Sequence, residues 1–181
     1  MKAIHSLKNL SLRTGVDSED VHAVRKIVTS TGFFSPAEIG VAVELIEDRV
    51  AKGERSDYRF LFADRDGETI GYACYGPIAC TVGSYDLYWI AVRDDARGGG
   101  IGRKLLAESE ARVAAESGRL VFVETSSRTQ YQPTRAFYER NAYQRAAVLT
   151  DFYAPGDDKV LYVKNVGTPK PEALNSEPGL A

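Results

Sequence analysis

Gly98, Gly99, Gly100 and Gly102 fall within five positions, bracketed by Arg97 and Arg103. An apolar, β-branched and aromatic run, Tyr88-Trp89-Ile90-Ala91-Val92, precedes them, and a helix-periodic run, "RKLLAESEARV", follows. Strand, glycine loop and helix start together make an anion site. Glycines let backbone N–H groups approach a ligand, the first helical turn offers unpaired donors, and fixed arginine charge suits phosphate. The dinucleotide pattern G-x-G-x-x-G fails, because Arg103 and Leu105 stand where its third glycine belongs. The P-loop pattern G-x-x-x-x-G-K-[ST] is also absent. Two further groups could do chemistry: Asp86 and Glu124 are carboxylates on segments whose neighbours are otherwise apolar.

The elements that position these residues are legible from period and punctuation. Leu7, Leu10 and Leu12 suggest a short first strand. Asp17 or Ser18 starts a helix that carries Val21, Val24, Ile27 and Val28 on one face, and Gly32 breaks it. Ser35-Pro36-Ala37-Glu38 reads as a capping box opening a second helix, with Ile39, Val43, Ile46 and Val50 as its stripe and Gly53 near its end. From Tyr58 the period becomes that of strands: a hairpin turning at Asp66-Gly67, a bulge or break at Gly76-Pro77, a turn at Gly83-Ser84, and a third strand from Tyr85 to Val92. A helix from about Gly100 to Ser117, closed by Gly118, leads to the strand "RLVFVETSS". That βαβ crossover makes the two flanking strands parallel. A polar loop, Arg128 to Gln132, a short helix from Pro133 to Arg140 and a hairpin turning at Pro155-Gly156 complete the chain, and 167–181 reads as a flexible tail.

With 181 residues, one domain is expected. A net charge of -2 and a pI near 5.8 argue against nucleic acid as a partner. No apolar run reaches the length of a membrane span and no signal-peptide core is present, so the expected compartment is the cytoplasm. Cys74 and Cys80 fit neither redox nor zinc spacing, and with only His5 and His22 besides, no metal is expected. Both are read as buried free thiols.

The loop Arg97-Gly98-Gly99-Gly100-Ile101-Gly102 follows the pattern [RQ]-x-x-G-x-[GA]. With "YWIAV" before it, and with Phe137-Tyr138-Glu139 and Tyr143 downstream, the chain resembles the GNAT acyl-CoA N-acyltransferase superfamily over about residues 5 to 165. The resemblance implies an α/β (α+β) fold: a mixed, mostly antiparallel twisted sheet of about seven strands with four helices and a central parallel βαβ crossover. It departs from the family at Asn141-Ala142-Tyr143, where a helix-ending glycine is usual, and Asn141 is expected to take the left-handed cap. The hairpin "DFYAPGDDKVLYVK" is similar to that of enzymes of the ribosomal-protein alanine acetyltransferase type, a likeness that fixes no substrate.

The resemblance also implies a co-substrate and roles. Acetyl-CoA is held through its pyrophosphate by Arg97, Gly98, Gly99, Gly100, Ile101, Gly102 and Arg103, and through its pantetheine arm by the backbone of Ile90, Ala91 and Val92. A backbone N–H near Val92 serves the oxyanion, and Thr134 contacts the coenzyme. Tyr138 protonates the leaving thiolate; read from the residues alone, it is equally a core aromatic. A lysine-like amine has a pKa of about 10.4, so a base must take its proton, directly or through water. Glu124 and Asp86 are the candidates, with Asp151 behind them. Ser126 and Ser127 lack a nucleophile elbow and a histidine partner, so direct transfer is expected rather than an acyl-enzyme. The acceptor is then a primary amine of a small molecule or of a protein or peptide, and a homodimer through the closing strands is common in such folds. The alternative is a catalytically silent acyl-CoA-binding sensor or scaffold. A nucleotide-binding regulatory domain would need a base or ribose contact, and the sequence offers none.

Overall fold

The computed structural model describes residues 9–167. The expected tail, from 168 onward, and Leu7 lie outside the described residues.

Strand β1 (Leu10–Arg13) is followed by helices α1 (Glu19–Ser30) and α2 (Pro36–Lys52). Next come strands β2 (Arg59–Arg65), β3 (Glu68–Pro77) and β4 (Ser84–Val92), helix α3 (Ile101–Ala115), strand β5 (Leu120–Ser126), helix α4 (Gln132–Arg140) and strands β6 (Gln144–Ala154) and β7 (Asp157–Asn165). The seven strands form one sheet in the order β1-β2-β3-β4-β5-β7-β6. All neighbours are antiparallel except β4 and β5, the parallel pair expected of the crossover.

Strand alternation divides the core between the two faces of the sheet. Leu61, Ala63, Ala73, Tyr75, Leu87, Val121 and Val123 face α3 and α4, together with Leu105, Leu106, Val113 and Tyr138. Phe60, Phe62, Tyr72, Cys74 and Ala91 face α1 and α2, against Val24, Ile27, Val28, Ala42 and Ile46. The α2 stripe is narrower than the sequence suggests, because Val50 is exposed. Arg13 ties the start of α1 to the sheet: its guanidinium donates to Asp20 at 2.5 Å and to Asp64 at 2.7 Å and lies over the Phe62 ring. Those carboxylates hold its pKa above the usual arginine value.

Several local expectations shift by one or two residues. At α1 the Asp17 side chain accepts from the Glu19 N–H, while Ser18 makes no side-chain cap. Gly76 and Pro77 complete β3 without a bulge; the bulge is at Tyr88 on β4, where Cys74 pairs with Trp89 and Tyr75 with Leu87. Gly76 is small for a different reason, since a Cβ there would lie 2.4 Å from the Asp57 carbonyl oxygen. After α3, Ser117 takes the left-handed conformation; Gly118 is needed because a Cβ would meet Val113 at 2.3 Å. After α4 the left-handed residue is Ala142 and not Asn141, whose side chain instead donates to the Phe137 carbonyl. Part of the expected loop 128–132 is a 3-10 turn, Thr129–Tyr131. Cys74 is buried as expected, but Cys80 is exposed in the β3–β4 connection.

Candidate active site

The glycine loop leaves a helix end open. Gly98 and Gly100 have φ of 84° and 81°, in the region that side-chain-bearing residues avoid, and this turns the chain from β4 into α3. Gly100 is the N-cap and brings no side-chain oxygen, and the first turn of α3 holds no acidic residue. The first N–H groups of α3 therefore keep their capacity for an anion. Arg103 and Lys104 stand exposed on that turn. Arg97 stacks over Phe33 at 4.9 Å, donates to the Val92 carbonyl at 3.4 Å and pairs with Asp94 at 3.4 Å, so its charge is held at the loop. Ser30 accepts from the Asp94 N–H, bracing the loop against the end of α1. From α4, Phe137 packs on the far side: a Cβ at Gly102 would lie 3.9 Å from its ring.

A gap opens beside the loop. β4 and β5 pair only over Ser84–Asp86 with Leu120–Phe122. Beyond that, β5 stays paired with β7 as far as Ser126, and β4 stays paired with β3 as far as Val92, so the two parallel strands part. The Tyr88 bulge sits at the point of parting and adds local twist. Ile90, Ala91 and Val92 pair with β3 on one edge, while the other edge faces the gap with its peptide groups available to an extended ligand.

The predicted acid and bases lie on opposite faces of the sheet. Tyr138 belongs to the α3/α4 core, 5% exposed, with its ring 5.5 Å from Tyr143 and 6.1 Å from Tyr162. Burial raises its pKa, so the hydroxyl stays protonated at neutral pH. The Tyr138 ring is a core aromatic, one of the two readings the sequence allows. Asp86 and Glu124 lie on the α1/α2 face, since Asp86 pairs with Phe122 and Glu124 is two residues further along β5. Asp86 is raised above its ordinary value by burial and then by Glu124, with Lys159 opposing. Glu124 is paired with Lys159 at 2.6 Å.

Other candidates have structural work. Asp151 accepts from the Gly156 N–H at 2.7 Å within the closing turn. Ser126 donates to Asp157 at 2.5 Å and accepts from the Arg128 N–H. Thr134 is half-buried near the start of α4, and its neighbour Arg135 donates to the Ser126 and Arg128 carbonyls. Tyr153 is one of the tyrosines that the sequence offers as pocket aromatics, whereas Lys159 and Phe152 are not singled out from the sequence. The available signal for Lys159 was the polar start of β7, Asp157-Asp158-Lys159, ahead of the apolar run 160–163. Among the described residues no group of three or more His, Cys, Asp or Glu could hold a metal ion, and no helix is long and apolar enough to cross a membrane.

Known proteins agree with this geometry. The model of the acetyltransferase (GNAT) domain matches residues 56–145. A crystal structure from Desulfovibrio desulfuricans, described as an acetyltransferase of the GNAT family, is 47% identical, with a TM-score of 0.85 over 87% of this chain and 99% of that one. The ribosomal-protein-S18-alanine N-acetyltransferase from Escherichia coli shares the fold at 16% identity, with a TM-score of 0.72 over 90% and 97% of the two chains. An aminoglycoside 6'-N-acetyltransferase complexed with coenzyme A does so at 15% identity, with a TM-score of 0.70 over 90% and 99%. No match is found among curated protein sequences. An open helix N-terminus beside two parting parallel strands, in a chain nearly half identical to a GNAT-family structure over almost all of that structure's length, has one reading: this chain belongs to the GNAT acetyltransferase family.

Proposed function

We propose that the protein transfers the acetyl group of acetyl-CoA directly to a primary amine of a small molecule or peptide. The observation that carries this reading is the parting of β4 and β5 ahead of the uncapped α3 N-terminus. A phosphate group bound at that terminus leaves an extended arm to run along the free edge of Ile90–Val92, and the thioester then enters the gap between the two faces.

In this mechanism Asp86 is the leading base. It lines the edge of the gap, and burial shifts it toward the range in which a carboxylate accepts protons at neutral pH. Glu124, the neighbouring carboxylate on β5, offers its charge to the incoming ammonium and relays protons through water. The neutral amine attacks the thioester carbon, the C–N bond forms, and the oxyanion takes a hydrogen bond from a backbone N–H near Val92. The C–S bond then breaks, and Tyr138 gives its proton to a thiolate whose conjugate thiol has a pKa of about 8.5. It recovers that proton from the former amine nitrogen through solvent.

The test combines calorimetric titration of acetyl-CoA with thiol release against amino acids, polyamines, aminoglycosides and short peptides. Binding followed by thiol release with one class of amine is the expected result. Absence of binding at high micromolar donor would overturn the proposal, and binding without release on any amine would leave a coenzyme-binding module. Tyr138→Phe slows release by about tenfold, less than the roughly 100-fold at the low end of general acid catalysis because the thiolate is a good leaving group; an unchanged rate would remove Tyr138 from the mechanism.

A further inference from the structure

The chain carries a primary amine of its own beside the acceptor side of the gap. Lys159 starts on β7, two strands away from β4, yet its Nζ reaches across to the Glu124 carboxylate on β5, the strand that borders the opening. The ammonium lies 3.8 Å from the Phe152 ring centroid and 5.9 Å from that of Tyr153. Its side chain is only 15% exposed, whereas Glu124 is 53% exposed and Phe152 and Tyr153 are themselves largely open to solvent. Asp86, on the opposite bank of the gap, feels this cation as well. Two aromatic rings and a carboxylate hold an ammonium beside the candidate bases, the kind of site in which an amine substrate would first bind as a cation.

We propose that Lys159 is an acceptor for the enzyme itself, acetylated within one molecule from bound acetyl-CoA. The inference rests on the reading of the protein as an acetyl-CoA-dependent transferase. Lys159 loses one proton to Glu124, 2.6 Å away, and from there to water. Its nitrogen attacks the thioester carbon, the C–S bond breaks, and the second nitrogen proton ends on the coenzyme A sulfur, giving N-acetyl-lysine and free thiol. The modification removes the ammonium from Glu124 and from the Phe152–Tyr153 pair. Glu124 is then free to receive the ammonium of an external substrate, so the unmodified lysine acts as an occupant of the acceptor side until it is neutralised.

The experiment incubates the full chain with acetyl-CoA bearing a deuterated acetyl group and follows each lysine by peptide mass spectrometry. Spontaneous acetylation by a thioester favours exposed amines such as Lys26. Transfer within the site favours Lys159 by at least about tenfold, because a held amine has a high effective molarity. The fraction of Lys159 labelled per unit time, at saturating donor, does not change with protein concentration and is lost in Gly100→Asp. Labelling of Lys159 no faster than of Lys26, or a fractional rate that doubles when the protein is doubled, overturns the proposal. Calorimetry on the same sample separates the two levels. Coenzyme A binding with Lys159 unlabelled sinks this inference and leaves the proposed function standing, whereas no binding sinks both.

Discussion

The N-termini of α2 and α3 are built from the same backbone and treated in opposite ways. At α2, Ser35 accepts from the Glu38 N–H, the Glu38 carboxylate accepts from the Ser35 N–H at 2.7 Å, and Pro36 removes a donor altogether. At α3 the cap is Gly100, the first turn has no acid, and arginines replace the carboxylate. One end is closed by its own side chains; the other has no side-chain cap, and under the proposed function it receives the pyrophosphate. The same contrast recurs between the strand carboxylates. Glu124 has a close cationic partner, while Asp86 is half-buried, and the largest influence on it is the loss of water.

Giving α3 a cap of its own should break this contrast most severely. Gly100→Asp places a carboxylate where the pyrophosphate is expected, at a residue with φ of 81°. Coenzyme A affinity is expected to fall by about 100-fold or more, roughly 2.7 kcal/mol, read by calorimetry; an unchanged Kd would mean that the ligand does not use this helix end. Asp86→Asn comes next, with thiol release slowed by about 100-fold on an accepted amine. Its stability should move the other way. A carboxylate whose folded pKa is raised costs nothing below its ordinary value near 3.8 and destabilises progressively as pH rises through the folded pKa. Asp86→Asn should therefore melt higher than the parent at neutral pH, with the difference vanishing at strongly acidic pH; a lower Tm at pH 7 would contradict the assigned burial cost. Arg97→Ala removes one fixed charge from the loop and should weaken coenzyme A by about tenfold. The smallest effect belongs to the closed end. Ser35→Ala should cost about 1 kcal/mol of stability in denaturant unfolding and leave coenzyme A affinity alone; a change in affinity would show that α2 is not merely scaffold.

Much of this was legible in the chain itself. Glycines required at positive φ, a capping box, the Asp66-Gly67 turn and a βαβ crossover are short-range devices, and each appears where the sequence puts it. Two of the misplacements, Gly76 and Gly118, share one cause. A glycine can serve either a conformation or a close approach, and only the neighbouring chain tells which. Gly118 packs on Val113 while Ser117 takes the turn, and Gly76 abuts Asp57 while Tyr88 takes the bulge.

The identity of the donor site is local, because a strand, a loop and the next helix are contiguous and their glycines and arginines can be read in order. The acceptor side is not. Asp86, Glu124, Lys159 and Phe152 come from four strands, and the pairing of β5 with both β4 and β7 sets which of them share a face. Residue type alone determined that two strand carboxylates were out of place. Tertiary packing decided which of them would be paired with a lysine and which would be left half-buried beside the gap, because desolvation and ion pairing depend on neighbours that are remote in sequence.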